Sequence, residues 1–415
     1  MQPLDTVYLQ ILKNLCTDSS EPIPLDGVDT AALYRLAEKH CSLPFLLPYF
    51  EQQPSFSGIK QQTKQMLLSY YQLEHFTRLT FSLLLAEKIP CFLLKGMSLA
   101  ANYPVPEYRK LGDLDLYIPE KEAFSRACRI LETNGYTEEP ENSDHHVTYR
   151  FTFPETGRSF TLELHYRIVG IYQFARANEL IDEIFSPDHL KPSFVELYGQ
   201  TYPVLPPTEN VFYMLHHMLK HYLYSGFGSR LLCDFTLYLK QYASEIDFEK
   251  IHSWCRESKI FHLYELILGS CHLYFGLSAS IDPQIRSSAA DCAAFLEQIL
   301  ADGDFGSDTE RKIVSRGYRH AGVRAWFHEG HVQMKLRFSK LHKCVLLWPV
   351  FWGITFFCFL SNASTAGERR HTVRQGETLW GIARDYGLSL TELIALNPQI
   401  KNPNLILAGE EVRLA

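Results

Sequence analysis

The spacing of apolar residues changes at Cys91, and this change restricts the chain to a fold that mixes helices and strands. Before it, residues 1–88 are predicted to be mostly helical, because apolar side chains recur there every three or four residues. After it, the short β-prone runs lie at 91–94, 113–118, 148–153 and 160–166. The sequence therefore predicts an α+β protein with a mixed sheet at its centre.

Turn and cap signals divide the chain further. Asn134-Gly135 ends a helix predicted over 121–134, and the turn at 155–157 joins two strands as a hairpin. A proline-rich stretch at 202–207 marks a boundary, after which Thr208 is the predicted N-cap of a helix. We therefore assign residues 1–88 to a helical region, 89–200 to the sheet core and 201–342 to a second helical region.

Asp113 and Asp115 stand two residues apart in an apolar, β-prone run. Side chains at that spacing lie on one face of a strand. Two carboxylates on one face repel each other unless a cation lies between them. Mg²⁺ prefers carboxylate oxygens together with substrate phosphates. The pair therefore indicates metal-assisted phosphate chemistry.

Five further residues strengthen this interpretation. The turn Lys95-Gly96 follows a strand-like run and precedes a helix-like segment, an arrangement that often holds phosphates. The guanidinium of Arg109 could neutralise a triphosphate by paired hydrogen bonds. Glu163 adds a third carboxylate on another short strand, with His165 on the same face.

This ordered set resembles the nucleotidyltransferase superfold, and most closely its bacterial family of uncharacterised nucleotidyltransferases. The resemblance covers residues 1 to about 340. It implies a nucleotidyltransferase-like mixed-sheet core and Mg²⁺-assisted transfer of a nucleotidyl group from an NTP to an unknown acceptor. The metal ligands of the two-metal site would be Asp113, Asp115 and Glu163, with His165 also catalytic. The residues expected to bind the nucleotide are Lys95, Gly96, Ser98 and Arg109.

Two positions depart from the pattern of the superfold. Its usual Gly-Ser turn is replaced by the residues from Lys95 to Ser98, and the third carboxylate is the longer Glu163. These differences favour an alternative, in which the fold is catalytically degenerate and serves as a sensor or scaffold.

The second helical region carries His217 and His221, four residues apart. That spacing could bind a metal on one helix face, or the two residues could simply lie at an interdomain surface. The family resemblance implies that Arg230 and Asp234 are structural or contact the acceptor.

Residues 344–360 are apolar and contain no charged side chain, so a transmembrane helix is predicted over 343–361. The basic segment before it would place the N-terminal body in the cytoplasm and the C-terminus outside, with membrane lipid as a partner. The alternative is a buried helix in an entirely cytoplasmic chain.

After a small polar linker at 362–369, residues 370–415 resemble a LysM domain, a βααβ unit. LysM domains bind peptidoglycan and other N-acetylglucosamine glycans, so the resemblance implies such a partner, although contact with a protein is an alternative. The predicted glycan groove comprises Gly376, Glu377, Thr378, Leu379, Asn397, Pro398, Ile406 and Leu407. A wall hydrolase is suggested by this domain alone, without a matching catalytic pair elsewhere.

The net charge of −7 argues against a surface that binds nucleic acid along the whole chain. Nucleic acid is therefore not expected as a partner.

Overall fold

The computed structural model describes most of the N-terminal three quarters of the chain and parts of the C-terminal domain. The described residues are 2–303, apart from 52, 54, 140–142, 144, 171, 173–174 and 223–225, together with 347–350, 353, 370–373, 382, 393, 396–397, 400 and 411–413.

Helices dominate both ends of the main body. Those up to the end of the core are α1 (Pro3–Thr17), α2 (Thr30–Lys39), α3 (Phe56–Ala86), α4 (Met97–Ala100), α5 (Lys121–Thr133) and α6 (Ala175–Ile184). Those that follow are α7 (Pro207–Lys220), α8 (Ser229–Tyr242), α9 (Phe248–Glu257), α10 (Phe261–Tyr274) and α11 (Ala289–Asp302). The predicted helices at the N-terminus are confirmed. Asp29 caps α2, because its carboxylate accepts a hydrogen bond from the amide of Ala32 at 2.9 Å.

The strands of the body are β1 (Phe92–Leu93), β2 (Leu114–Tyr117), β3 (Thr137–Glu138), β4 (His146–Thr152), β5 (Ser159–His165), β6 (Ser193–Leu197) and β7 (Gln200–Val204). In the described part of the chain they form one sheet in the order β3-β4-β5-β2-β1-β7-β6. The β2–β5 and β1–β7 pairs are parallel and the others are antiparallel, so the predicted mixed sheet is confirmed.

The structure differs from the sequence prediction at the end of the sheet. Val204 pairs with Leu93, so β7 continues past the boundary placed at residue 200. Helix α7 then begins at Pro207 with Pro206 as its N-cap, so the prediction that Thr208 is the cap was wrong. The Thr208 hydroxyl instead accepts a hydrogen bond from the amide of Asp247 at 3.0 Å.

The two faces of the sheet pack against different layers. Leu114 and Leu116 of β2 lie in a hydrophobic cluster with side chains from α3 and α5. Tyr117, from the opposite face of the same strand, lies in a second cluster built mainly from the helical regions, including α7 and α8. Asp115 alternates with Leu114 and Leu116, so it points to the side of the sheet that faces α7 and α8.

No helix among the described residues is both long and apolar enough to cross a membrane. The span predicted at 343–361 falls mostly outside the described residues, which include only 347–350 and 353 of it.

In the C-terminal domain, β8 (Arg370–Thr372) pairs antiparallel with β9 (Glu411–Arg413). This confirms the first and last strands of the predicted βααβ unit. The buried apolar side chains include Val373, Ile382, Leu393, Ile400 and Val412, and Ile382 and Leu393 are helical.

Candidate functional site

Parallel pairing of β2 with β5 brings the predicted acidic residues together. The register sets Asp115 opposite Glu163 and Tyr117 opposite His165. Asp113 lies immediately before the first residue of β2. Alternation along the strands therefore puts the carboxylates and His165 on one face of the sheet.

The ammonium group of Lys95 lies among the three carboxylates. Its Nζ atom is 3.0 Å from Asp115 Oδ1, 3.9 Å from Asp113 Oδ2 and 4.0 Å from Glu163 Oε2. The His165 imidazole lies beside two of them, with Nε2 3.3 Å from Asp115 Oδ1 and 3.4 Å from Glu163 Oε2. Lys95 therefore offsets the negative charge of these carboxylates. The sequence pattern predicts instead that its ammonium contacts the phosphates of a nucleotide.

Burial and these neighbours shift the pKa values of Asp115, Glu163, His165 and Lys95. Burial, aided by the charge of Asp113, raises the pKa of Asp115 to about 7, although Lys95 and His165 oppose this. Burial also raises the pKa of Glu163, but Lys95 and His165 outweigh it and hold that pKa well below its usual range. Burial lowers the pKa values of His165 and Lys95, yet the adjacent carboxylates raise both overall.

The cluster fits a divalent cation. Asp115, Glu163 and His165 each offer a ligand atom, and these atoms lie within 4.8 Å of one another. Asp115 Oδ2 is buried and has no hydrogen-bond partner among the described residues, which leaves one acceptor for a cation. The Asp113 side chain is 35% exposed, and it lies next to this group because Lys95 contacts it as well.

The glycine turn has the geometry that the sequence predicts, but its serine has a different task. Gly96 adopts φ 66° and ψ −114°, a conformation that side chains disfavour. The Ser98 hydroxyl donates its hydrogen bond to the carbonyl of Leu94 at 2.8 Å. Because its proton is used within the turn, the structure does not support Ser98 as a donor to a phosphate.

Arg109, predicted to neutralise a triphosphate, has a partner within the protein instead. Its guanidinium is buried and donates from Nε and Nη2 to the two carboxylate oxygens of Asp234, at 2.7 and 2.8 Å. The Tyr103 hydroxyl donates to the same carboxylate at 2.7 Å. The partner lies on α8, 125 residues along the chain, so the pair joins the core to the second helical region.

Helix α7 covers the site and adds residues that the sequence analysis did not assign to it. Burial raises the pKa of the Tyr213 hydroxyl. The charge of Lys95 opposes this shift, and the charge of Asp115 adds to it. Burial, the adjacent His221 and the charge of Lys95 hold the pKa of His217 well below its usual value. Of the His217 and His221 pair, neither belongs to a cluster of three ligand side chains within the described part of the chain.

Two histidines next to β5 were also missed. His145 and His146 stand at the start of β4, and His146 pairs with His165 across the two strands. Burial lowers the pKa of His146 to about 3. The only sequence signal was a pair of adjacent histidines ahead of a β-prone run.

In the C-terminal domain, Asn397 supports the fold. Its side-chain amide donates to the carbonyls of Leu393 and Arg413, at 2.7 and 2.8 Å, and its Oδ1 accepts from the Arg413 amide at 2.8 Å. The side chain is buried, so a direct contact with glycan, as predicted, is not supported. The other predicted glycan residues, Gly376, Glu377, Thr378, Leu379, Pro398, Ile406 and Leu407, lie outside the described residues.

Two family models match the chain. The model described as an uncharacterised nucleotidyltransferase matches residues 26–276, and the model for the LysM domain matches residues 371–415.

Comparison with individual proteins gives short matches. The chain is 41% identical over 54 residues to an endolysin of Bacillus phage PZA, covering 13% of this chain and 21% of that protein. It is 48% identical over 53 residues to chlorophenol reductase of Desulfitobacterium hafniense, covering 13% and 16%. It is 41% identical over 44 residues to SpoIVD-associated factor A of Bacillus subtilis, covering 11% of each. Each match therefore spans about a fifth or less of the relative.

Among solved structures, an antigenic nucleotidyltransferase-like protein from Paracoccidioides brasiliensis matches with 14% identity and a TM-score of 0.33. The match covers 50% of this chain and 94% of that one.

Proposed function

The chain belongs to the family of uncharacterised nucleotidyltransferases and ends in a LysM domain, and we propose that it transfers a nucleotidyl group from an NTP to an acceptor hydroxyl. The observation that carries this proposal is the parallel register of β2 and β5. It places Asp115 beside Glu163, with the Lys95 ammonium close to both carboxylates. Buried carboxylates need cations, and Mg²⁺ binds carboxylates together with substrate phosphates, so the cluster suits a metal-bound nucleotide.

In this reaction the acceptor oxygen attacks the α-phosphorus of the NTP. A new P–O bond forms to the acceptor, the bond to the β-phosphate breaks, and pyrophosphate leaves. Lys95 and His165 keep Glu163 ionised by holding its pKa well below the usual range, which suits a metal ligand better than a general base, so the proton of the acceptor hydroxyl passes to solvent. Two Mg²⁺ ions held by Asp113, Asp115 and Glu163 would stabilise the attacking and leaving oxygens when bound.

Lys95 has two tasks in this proposal. Without substrate its ammonium offsets the charge of the three carboxylates. With substrate, the same ammonium would contact phosphate oxygens, and the Gly96 turn sets the position of its backbone. Arg109 takes no part, because its guanidinium is buried and donates from Nε and Nη2 to Asp234.

Transfer is tested with the purified full chain, Mg²⁺, each α-labelled NTP and fractions of a cell extract as the source of acceptor. Label should pass to an acceptor with the native chain and with the control Asp188→Asn, an exposed carboxylate outside the site. Asp113→Asn and Asp115→Asn should abolish the transfer. Equal transfer by these variants would refute the proposed site.

A second candidate function is a degenerate fold that binds a nucleotide without transferring it. It is favoured by the 3.0 Å contact of Lys95 with Asp115, where the ammonium competes with a metal, and by the internal hydrogen bond of Ser98. This candidate predicts NTP binding that does not depend on Mg²⁺ and gives no labelled product with any fraction.

The C-terminal LysM domain bears on where in the cell the protein acts. We infer that this domain binds peptidoglycan or another N-acetylglucosamine glycan outside the membrane, while the body lies in the cytoplasm and 343–361 connects them through lipid. Sedimentation with purified peptidoglycan tests the glycan. Membrane fractionation, followed by protease treatment of intact cells, tests the topology. Recovery of the whole chain in the soluble fraction without detergent would contradict the membrane anchor and favour a cytoplasmic protein.

A further inference from the structure

Three buried histidines lie together at one end of the β4–β5 pair. His145 directly precedes β4, His146 is its first residue, and His165 is the last residue of β5 and the cross-strand partner of His146. The centres of their rings are 4.5 Å apart for His145 and His146, 4.9 Å for His146 and His165, and 5.5 Å for His145 and His165. Each offers a ring nitrogen within 4.8 Å of the others.

Two of these rings have an unsatisfied nitrogen. The Nδ1 atoms of His146 and His165 are buried and have no hydrogen-bond partner among the described residues. The residues themselves are only 8% and 3% exposed. A buried polar atom without a partner destabilises the fold, so two in adjacent side chains point to a ligand that binds both.

The other contacts of the cluster limit which ligand fits. His146 Nε2 lies 3.9 Å from Glu163 Oε1, and His165 Nε2 lies 3.4 Å from Glu163 Oε2. His145 contacts the Ser143 hydroxyl through Nδ1 and the Lys220 ammonium through Nε2, the latter at 3.3 Å. A cation bound here must therefore displace either the Ser143 hydroxyl or the Lys220 ammonium from His145, which requires a strong imidazole-binding metal.

The donor set identifies the class of metal. Imidazole nitrogens suit zinc and the neighbouring transition metals, whereas Mg²⁺ prefers oxygen ligands. Three histidines with a further position for water or substrate are a common arrangement for zinc. We propose that His145, His146 and His165 bind a divalent transition metal of the zinc class, next to the carboxylate cluster that would take Mg²⁺. This site does not depend on nucleotidyl transfer.

The test uses the full chain without an affinity tag of histidines, after removal of metal by a chelator. Co²⁺ is added as a visible probe, because its ligand-field absorption is intense when it is four-coordinate. The native chain should bind one equivalent with that absorption, Zn²⁺ should displace it, and excess Mg²⁺ should not. Absence of saturable Co²⁺ binding, or displacement by Mg²⁺ as readily as by Zn²⁺, would overturn the proposal.

Variants then assign the ligands. Loss of an outer-shell partner alone typically weakens metal binding about 10- to 100-fold, so His145→Ala and His146→Ala should each weaken Zn²⁺ binding at least about 100-fold. The control His189→Ala, an exposed histidine, should bind as the native chain does. Asp113→Asn should also retain Zn²⁺, because it alters only the carboxylate cluster. Equal loss in Asp113→Asn would place the ion among the carboxylates and refute the histidine site.

An independent measurement covers the case in which an alanine variant does not fold. X-ray absorption of the Zn²⁺-loaded native chain should show three imidazole ligands. A shell of oxygen atoms with one imidazole or none would refute the assignment, because an ion held by Asp115, Glu163 and His165 would have one.

Discussion

Replacing Arg109 by methionine tests what the buried guanidinium does, because methionine keeps much of its length and removes its charge. The side chains of Arg109 and Asp234 are 3% and 1% exposed. Removing one partner of a buried ion pair costs about 3–5 kcal/mol, since the other charge stays buried without compensation. Here the substitution deletes two short hydrogen bonds and leaves the Asp234 carboxylate with the Tyr103 hydroxyl. We therefore expect the free energy of unfolding to fall by about 3–5 kcal/mol.

A double-mutant cycle separates this effect from a general loss of packing. Asp234→Leu alone should destabilise by a similar amount, but the double variant should lose much less than the sum of the two. The free energies come from equilibrium unfolding in urea. Arg129→Met, which removes an exposed arginine from α5, should change stability by no more than about 0.5 kcal/mol.

Stability and NTP binding of Arg109→Met together distinguish a structural role of the guanidinium from a role in phosphate binding. If Arg109→Met loses less than about 1 kcal/mol of stability yet binds NTP much more weakly, the guanidinium acts on the phosphates and not on the fold. If instead the variant is destabilised but its folded fraction binds NTP normally, the structural role is supported.

Three further substitutions test other parts of the molecule. Because the charge of Asp113 helps raise the pKa of Asp115 to about 7, Asp113→Asn should lower that pKa, as followed by carboxyl NMR; an unchanged midpoint would contradict the coupling. Gly96→Ala should cost about 1–3 kcal/mol by thermal unfolding because of its positive φ, whereas Gly112→Ala, in open space, should cost almost nothing; equal effects would contradict the strained turn. Asn397→Ala should lower the stability of the C-terminal domain by about 1–3 kcal/mol, which would be measured as faster cleavage by protease. An unchanged cleavage rate would argue against a role of Asn397 in stabilising that domain.

The pKa of Asp115 also makes the stability of the folded chain depend on pH. Its folded pKa of about 7 lies above the ordinary value of 3.8, so the folded chain holds this proton more tightly than the unfolded chain. The stability that the proton contributes is therefore present below about pH 4 and is lost as pH rises through 7. A cation bound at Asp115 would offset the cost of burying its charge and the repulsion from Asp113, which together cause this loss.

Local pattern was enough to predict the acidic side of the site. Asp113 and Asp115 share a face because strands alternate, and Glu163 follows the same rule on its own strand. Their meeting needed only that β2 and β5 be neighbours, which the family resemblance implied. The glycine turn was likewise predictable, because φ 66° at Gly96 is a conformation that glycine tolerates.

The remaining contacts depend on residues far apart in the chain. Arg109 precedes its partner Asp234 by 125 residues, and no local pattern shows that α8 approaches it. Lys220 and Tyr213 reach the site because α7 packs over the sheet face that carries Asp115, a tertiary arrangement. His145 and His146 were missed because only the register of β4 with β5 places them beside His165.

The most direct test of the central claim is the binding of NTP to the full chain by calorimetry, with and without Mg²⁺. We expect binding by the native chain to strengthen when Mg²⁺ is present. In Asp115→Asn and Glu163→Gln that strengthening should disappear, and in the exposed control Asp188→Asn it should remain. Mg²⁺-dependent binding of equal strength in all four proteins would contradict a metal–nucleotide site at the β2–β5 pair.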